Sequence, residues 1–398
     1  MRIPCPAVVK FPDEKIRYEV ATMQYVAANT TIPVPKIHHW GVAEDNPLRL
    51  GPFIIMDYVE HETTLSHALN DPLVDSTGYH SLDPDIDEQK LRSLYRQMAN
   101  IILQLSTLSF SQIGSLIYDE KGFSTSGRPL IQNMNSLLDF TDCPASLLPA
   151  HAFSTSNEWY SAMADMHLTQ LTFQHNDAIE DEDDARDKYV ARQLFRNLAS
   201  EGHLATSEGS ETTFRLFSED LRPSNVLIDK DLRVVGVVDW EFAYAAPAQF
   251  SLDPPWWLLL ESPEYWDGEY RGWIEAYEPR LETFLSVLED EEKNLQGNRE
   301  SPSISQHMRR NWENKSWMVR YAARKSWSFD FIFWRYLDPR YFGENEDGDY
   351  HARLPLLKQQ QIDAMEPFVK FKMQQRKERI LVRWGDEDAK AELSKVML

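Results

Sequence analysis

Cysteine is scarce in this sequence, whose 398 residues include only Cys5 and Cys143. Two cysteines cannot build a disulfide framework or an all-cysteine zinc site, and such scarcity is typical of a reducing compartment. No run approaches the roughly 18 apolar residues of a membrane-spanning helix. The first ten residues carry two prolines and no long apolar segment, so we expect no secretory signal. These absences favour a cytoplasmic protein without a membrane partner.

Basic residues are also in deficit, with 41 Lys and Arg against 63 Asp and Glu, which gives a net charge of −22. Binding to a phosphate backbone needs concentrated positive charge, so we expect no nucleic-acid partner. The hydrophobic fraction of 42% and the length of 398 residues suffice for a large core and for two or three domains.

The order of the predicted elements indicates an α+β fold. A strand-like run lies almost at the start, and an amphipathic helix, two β-rich pieces and a second amphipathic helix follow. Helical character is then expected up to about Leu204, a β block comes next, and helical sequence resumes to the end. In chain order, the segments with a defined prediction are 7–11, 13–28, 36–40, 53–59, 87–108 and 214–239.

The β block contains the most informative stretch. Two apolar runs on either side of a polar turn near Lys230 predict a hairpin. In that hairpin Asn225 lies opposite the end of the second strand and next to Asp239. Carboxylate and amide oxygens suit Mg²⁺. Asp220 comes five positions before Asn225 on a proline-containing loop, so it can face the same small volume.

The spacing Asp-Leu-x-x-x-Asn followed by a strand-terminal Asp is the arrangement of kinase active sites. There the first Asp serves the acceptor hydroxyl, and the Asn and the second Asp bind metal. The same residues have a plainer interpretation, in which Asp220 and Asn225 cap turns and Asp239 ends a strand.

Residues 220–227 (Asp-Leu-Arg-Pro-Ser-Asn-Val-Leu) and 238–241 (Val-Asp-Trp-Glu) resemble the aminoglycoside phosphotransferase and choline kinase-like superfamily, and more narrowly its fungal phosphotransferase-enzyme group. The resemblance extends over most of the chain, from about Ala7 to Gly343. It implies a two-lobed protein-kinase-like α+β fold. A truncated N-lobe and hinge would occupy residues 1–60, and a large, mainly helical C-lobe would occupy residues 61–398 and carry the catalytic hairpin at 214–240.

The resemblance also implies roles for individual residues. Asp220 would be the catalytic base, and Asn225 and Asp239 the Mg²⁺ ligands. Lys10 would bind the α- and β-phosphates of ATP, held by Glu19 on the following helix. Taken alone, Lys10 and Glu19 would more often be surface charges.

An adenine pocket is implied at the second β-rich piece. Met56 would gate the pocket, while the carbonyl of Asp57 and the amide of Val59 would bond the adenine edge. Leu227 and Val238 would line the floor. Without the resemblance these apolar residues are equally well explained as core.

The implied activity is that of an aminoglycoside phosphotransferase-like kinase, which transfers the γ-phosphoryl group of ATP to a hydroxyl of a small molecule, with a cationic amine as one acceptor class. Two features depart from the family. Ser218 stands where a histidine is frequent, and only nine residues precede Lys10, too few for the preceding hairpin and its phosphate-covering loop. The alternative is therefore a catalytically impaired pseudokinase that acts as a binding or scaffold module.

Two further stretches have competing interpretations. The aromatic and basic residues of 312–336 are interpreted as helix-packing aromatics with a solvated charged face, rather than as a stacking surface for single-stranded nucleic acid. The acidic run 180–184, which follows His175, is interpreted as a solvated helix start rather than a metal site.

Overall fold

The computed structural model describes residues 1–5, 9–75, 80–205, 213–266, 270–296, 303–346, 348–379 and 382–398. Its internal contacts group the chain into two compact units, Met1–Leu130 with Thr213–Asn314, and Ile131–Thr212 with Lys315–Leu398. The expected lobe boundary near residue 60 does not coincide with this division and stays a prediction.

Helices dominate the described residues. In chain order they are α1 Pro12–Asn29, α2 Leu65–Leu69, α3 Glu88–Thr107, α4 Gln132–Phe140, α5 Ser156–Phe173, α6 Glu182–Ser200, α7 Tyr270–Gln296, α8 Ile304–Glu313, α9 Ser316–Arg324, α10 Phe329–Ile332, α11 Asp338–Phe342, α12 Gln359–Glu378 and α13 Asp386–Ser394. The strands are β1 Ile37–Gly41, β2 Phe53–Met56, β3 Thr63–Thr64, β4 Ser109–Phe110, β5 Ser115–Asp119, β6 Gly122–Gly127, β7 Phe214–Ser218, β8 Val226–Ile228, β9 Val234–Val237 and β10 Ala243–Pro247.

The strands of the first unit form four small antiparallel sheets. Two are the pairs β1-β2 and β5-β6, and two are three-stranded, with the orders β10-β7-β4 and β3-β8-β9. In the last of these, β8 pairs with β9 as the predicted hairpin. The mixture of helices with antiparallel sheets confirms the α+β class.

Helix α1 confirms the helix expected over residues 13–28. Pro12 stands in its first turn, where the missing N–H is no loss, and the acidic Asp13 and Glu14 follow, which suits the positive end of the helix dipole. Ile16 and Val20 are buried and pack with Ile54 of β2 in one apolar cluster. This packing fixes the helix face that also carries Glu19.

The structure adds strands that the sequence did not predict and lacks one that it did. Helices predominate between α3 and Leu204 as expected, but β4, β5 and β6 lie between residues 109 and 127. The β block also extends beyond residue 239, since β10 pairs with β7 along five residues. In addition, residues 9–11 form no strand, and residues 7 and 8 of the same predicted run lie outside the described residues.

The aromatic and basic stretch is only partly as expected. Trp317 of α9 is buried, which agrees with a packing role, whereas Trp327 is 41% exposed. Arg320 and Arg324 do not lie on a solvated face, because both are buried, with exposures of 3% and 9%.

The acidic run 180–184 lies at the start of α6, where the Asp181 carboxylate accepts a hydrogen bond of 2.9 Å from the Asp184 N–H. Its interpretation as a helix start is therefore confirmed. Among the described residues, none of the helices combines the length and the apolar character needed to cross a bilayer.

Candidate active site

The β8–β9 hairpin brings two of the expected metal ligands to the same end of the sheet. Val226 is registered with Val237, so the residue before one strand lies beside the residue after the other. The Val238 N–H donates to the Asn225 carbonyl at 2.9 Å. Asp239 follows directly, as the sequence predicted.

The loop before β8 turns back so that Asp220 contacts Asn225. Pro223–Asn225 form a single 3₁₀ turn, which bends the loop within its five residues. The Asn225 amide Nδ2 then donates to both the Oδ2 and the backbone oxygen of Asp220, each at 2.9 Å. The Asp220 side chain is 14% exposed, so its carboxylate is fixed yet accessible.

Arg222 is a charged neighbour to which the sequence interpretation gave no role. Its Nε lies 3.2 Å from Asp220 Oδ1, and its side chain is 46% exposed. Arg222 comes two positions after Asp220 in the motif. A loop has no regular side-chain periodicity, so the sequence does not predict which way the Arg222 side chain points. The guanidinium therefore adds a positive charge next to the candidate base.

Asp239 has a left-handed backbone, with φ of 64°. That conformation costs a residue other than glycine roughly 1–2 kcal/mol, and such strain is frequent at functional positions. One carboxylate oxygen, Oδ1, accepts a hydrogen bond of 2.7 Å from Arg2 Nη2. Within the described residues, Asp239 Oδ2 and Asn225 Oδ1 accept no hydrogen bond, so each keeps an oxygen for a ligand. This donor set fits a hard cation such as Mg²⁺.

Glu19 pairs with Arg2, a residue that the sequence interpretation missed. Arg2 forms an antiparallel bridge with Ile54, with backbone hydrogen bonds of 2.8 and 2.9 Å. From there its Nη1 donates to Glu19 Oε1, and its Nη2 donates to Asp239 and, at 3.2 Å, to Glu241. One guanidinium thus joins three carboxylates.

Lys10, for which we expected this pairing, lies in the bend just before α1. The strand position facing β2 is taken instead by Arg2. A single arginine ahead of two prolines is a weak signal, whereas the strand-like run at residues 7–11 is a stronger one and pointed to Lys10. The assignment of Lys10 as a phosphate ligand stays a prediction.

Burial and the neighbouring charges compete in setting the pKa values of this cluster. Glu19 is 1% exposed, and burial raises its pKa to about 7, although the positive charges of Arg2 and Lys15 oppose the shift. Burial alone would lower the pKa of Arg2, but Glu19 and Asp239 outweigh it and the pKa is raised. Burial lowers the pKa of Lys15, whose ammonium group is paired with Glu241.

The residues expected around adenine also come together in part. An added Cβ on Gly236 would lie 3.1 Å from the Val59 side chain and 3.4 Å from that of Leu227, so these two side chains are neighbours. Met56 packs against the apolar cluster that holds α1 on β2. Val238 is half-buried at the end of β9.

The backbone after β2 leaves suitable polar groups open. The Asp57 N–H donates to the Lys36 carbonyl at 2.9 Å. Within the described part of the chain, the Asp57 carbonyl and the Val59 N–H have no hydrogen-bond partner. An acceptor and a donor two residues apart match the edge of a purine base.

Known proteins resemble this chain over varying lengths. Clavilactone A biosynthesis cluster protein Y of Ampulloclitocybe clavipes is 26% identical over 250 residues, which are 62% of this chain and 54% of that protein. Altered inheritance of mitochondria protein 9, mitochondrial, of Saccharomyces cerevisiae is 30% identical over 105 residues, or 26% of this chain and 15% of that protein. The chain thus spans about half of the first relative and a small part of the second.

Among solved structures, a putative aminoglycoside phosphotransferase from Ralstonia eutropha JMP134 is 12% identical, with a TM-score of 0.41, and the alignment covers 92% of this chain and 84% of that one. A thermostable mutant of the aminoglycoside phosphotransferase APH(4)-Ia is 14% identical, with a TM-score of 0.37 and coverage of 95% and 82%.

The model of the phosphotransferase enzyme family matches residues 5–288, which is well over half of the chain. The matched span contains Glu19, the whole hairpin and its three polar residues. It confirms the resemblance described from the motifs, together with the protein-kinase-like α+β fold that the resemblance implies. The chain therefore belongs to the phosphotransferase enzyme family.

Proposed function

We propose that this protein is an ATP- and Mg²⁺-dependent phosphotransferase that moves the γ-phosphoryl group to a hydroxyl of a small-molecule acceptor. The observation that carries the proposal is the meeting of Asp220, Asn225 and Asp239 at one end of the β8–β9 hairpin. The Asn225 amide holds the Asp220 carboxylate at 2.9 Å. Arg2 contacts Asp239 at 2.7 Å and shares Glu241 with Lys15, so both cations would be available to phosphates bound at Asp239.

Each residue of this group has a chemical task. The acceptor oxygen would attack the γ-phosphorus, the bond from that phosphorus to the bridging oxygen would break, and ADP would leave. Asp220 would orient the hydroxyl and accept its proton, while Asn225 keeps the carboxylate in place. Asn225 Oδ1 and Asp239 would hold Mg²⁺, which neutralises charge on the transferred group.

The adenine-binding role of residues 56–59 belongs to the same proposal. The open carbonyl of Asp57 and the open N–H of Val59 support it, because they match the hydrogen-bonding edge of adenine. Leu227 and Val238 would lie beneath the base. We also propose a cytoplasmic location, although the name of the yeast relative places that protein in mitochondria.

A binding module without transfer is the second candidate. The ion pair between Arg2 and Asp239 favours it, since Arg2 Nη2 occupies Asp239 Oδ1 and competes with a metal ion for that oxygen. The first candidate requires both nucleotide binding and turnover, whereas the binding or scaffold module requires no turnover.

Thermal unfolding with Mg²⁺ and ATP tests binding. We expect the midpoint to rise for the native chain and not for Asp239→Asn, whereas Asp231→Asn should behave like the native chain. Asp231 lies in the turn of the same hairpin and its side chain is 52% exposed, so it is a matched control. No shift in the native chain would contradict the proposed nucleotide binding and, with it, the enzyme.

Turnover then separates the two candidates. A panel of amino alcohols and sugars, incubated with the protein, Mg²⁺ and ATP, should contain an acceptor that gains the mass of one phosphoryl group. A gain that disappears with Asp220→Asn supports the enzyme. Binding of nucleotide without any gain across the panel favours the module.

A further inference from the structure

Lys15 is a second cation beside the candidate metal ligand. It lies on α1 four residues before Glu19, and side chains at that spacing leave a helix on the same face. Its ammonium group is paired with Glu241, and only 10% of the side chain is exposed. Lysine is rarely so buried unless it has a partner, so this position is specific rather than a solvated helix face.

Arg2 and Lys15 meet at a single oxygen atom. Arg2 Nη2 donates to Glu241 Oε2 at 3.2 Å, and the same Oε2 receives Lys15 Nζ. Arg2 Nη2 also contacts Asp239 Oδ1 at 2.7 Å. Both cations therefore border the carboxylate at which metal-bound phosphates would lie.

The two cations differ in how firmly they are held. The planar guanidinium of Arg2 is fixed by three carboxylates, and its Nη1 is committed to Glu19. Lys15 is a compact charge on a flexible stem that has one ion pair within the described residues, with Glu241, and lies 5.5 Å from the centre of the Phe242 ring. Nζ can therefore turn away from Glu241 without loss of that residue's bond to Arg2.

The charge of the nucleotide is a reason for Lys15 to change its partner. A nucleoside triphosphate carries about four negative charges near neutral pH, of which one Mg²⁺ balances two, while Arg2 already compensates three carboxylates. A further cation would offset part of the remaining phosphate charge in a site already rich in carboxylates.

We propose that Lys15 is a phosphate-binding residue, whose ammonium group leaves Glu241 and donates to a phosphate oxygen when MgATP binds. This inference rests on the proposed nucleotide site and names a contact for it that the family motif does not include. Glu241 would then act as the resting partner of Lys15 in the free protein.

Binding measurements by calorimetry test the proposal on the full chain. Lys15→Met removes the charge and keeps most of the stem, Lys15→Arg keeps the charge, and Lys121→Met is the control at the exposed turn between β5 and β6. Each variant is titrated with MgATP and, separately, with adenosine, which lacks phosphate. We expect Lys15→Met to raise the Kd for MgATP about tenfold and to leave the Kd for adenosine unchanged. Lys15→Arg should restore most of the affinity, and Lys121→Met should match the native chain.

Two results would overturn the role of Lys15 alone. Either MgATP binds Lys15→Met as tightly as the native chain, or the variant loses MgATP and adenosine equally, which indicates a structural ion pair with Glu241. A native chain that binds neither ligand would instead overturn the proposed nucleotide site, and the inference with it. The thermal midpoint of every variant shows whether it is folded. If Lys15→Met is unfolded, Lys15→Arg tests the proposal instead: MgATP binding close to that of the native chain supports a role for the charge, and a loss of MgATP and adenosine binding together contradicts it.

Discussion

The guanidinium of Arg2 contacts the carboxylate of Asp239 at 2.7 Å, although 237 positions separate the two residues. The same group bonds Glu19, which is nearly inaccessible to solvent. Three carboxylates thus depend on one arginine for charge compensation. A buried carboxylate that loses its cation is strongly destabilising, so this contact links the stability of the first unit to the candidate active site.

Arg2→Met should therefore lower the free energy of unfolding by about 3 kcal/mol, because Glu19 would keep its burial and lose its hydrogen-bonded cation. Urea denaturation measures the change. Adding Glu19→Gln to Arg2→Met should recover part of the loss, since the buried charge is then gone. Lys10→Met is the comparison, and we expect a much smaller effect from it. A larger loss from Lys10→Met than from Arg2→Met would return Lys10 to the role that the sequence suggested.

Asp239 allows the backbone and the charge to be tested separately. Asn tolerates a left-handed backbone better than Ala, so Asp239→Ala should be about 1 kcal/mol less stable than Asp239→Asn. Both substitutions remove the carboxylate, and both should abolish the rise in thermal midpoint caused by MgATP. Urea denaturation of the two variants gives the stability difference. Equal stability of the two variants would show that the left-handed conformation at φ of 64° is not strained.

The hairpin and its polar residues were predictable because they depend on local sequence. Apolar strands with a polar turn set the register of β8 and β9, and Pro223 bends the loop that returns Asp220 to Asn225. Arg2 was not predictable in the same way. Its position depends on backbone hydrogen bonds to Ile54, which leave no mark in the side-chain pattern.

The β5–β6 hairpin shows a second reason why the sequence did not predict part of the fold. Residues 122–127 are Gly, Phe, Ser, Thr, Ser and Gly; glycine, which is depleted in strands, stands at both ends, and half of the residues are exposed. The strand forms because Asp119 pairs with Gly122 across a tight turn, in which Gly122 has φ of 99°. Pairing with the neighbouring strand across this turn therefore outweighed the propensity of the individual residues.

Gly236 provides a test of the adenine pocket. It lies opposite Leu227 in the β8–β9 pair, and a side chain there would meet Val59. Gly236→Val should raise the Kd for adenosine and for MgATP at least about tenfold, because the added methyl groups push Val59 and Leu227 toward the base. Gly236→Ala should have a smaller effect, since its single Cβ lies 3.1 Å from Val59.

A compensating substitution at Val59 serves as the control for Gly236→Val, because a smaller side chain at residue 59 leaves room for the added valine. Val59→Ala in the Gly236→Val background should recover a large part of the affinity, as measured by calorimetry. Unchanged adenosine binding in Gly236→Val, with a normal thermal midpoint, would place the base elsewhere.

Lys372 of α12 gives the second unit a defined pH dependence. Its ammonium group donates to the Gln174 carbonyl at 2.6 Å and to Gln375 Oε1 at 2.7 Å, and burial lowers its pKa to about 7. Between pH 7 and the ordinary value of 10.5, the unfolded chain therefore binds more protons than the folded one, and the free energy of unfolding should increase with pH. The contribution is at most about 1.4 kcal/mol per pH unit.

Urea denaturation of the native chain and of Lys372→Met at several pH values between 7 and 10 isolates this contribution, because other titrating groups cancel in the difference. We expect the free energy of unfolding of the native chain to rise relative to that of Lys372→Met as the pH increases. Only the native chain has a buried amine, and the cost of burying this amine falls when it loses its proton. Lys370→Met on the same helix, whose side chain is exposed, should run parallel to the native chain. A constant difference between the native chain and Lys372→Met across this range would mean that the buried ammonium stays charged, stabilised by the oxygens of Gln174 and Gln375.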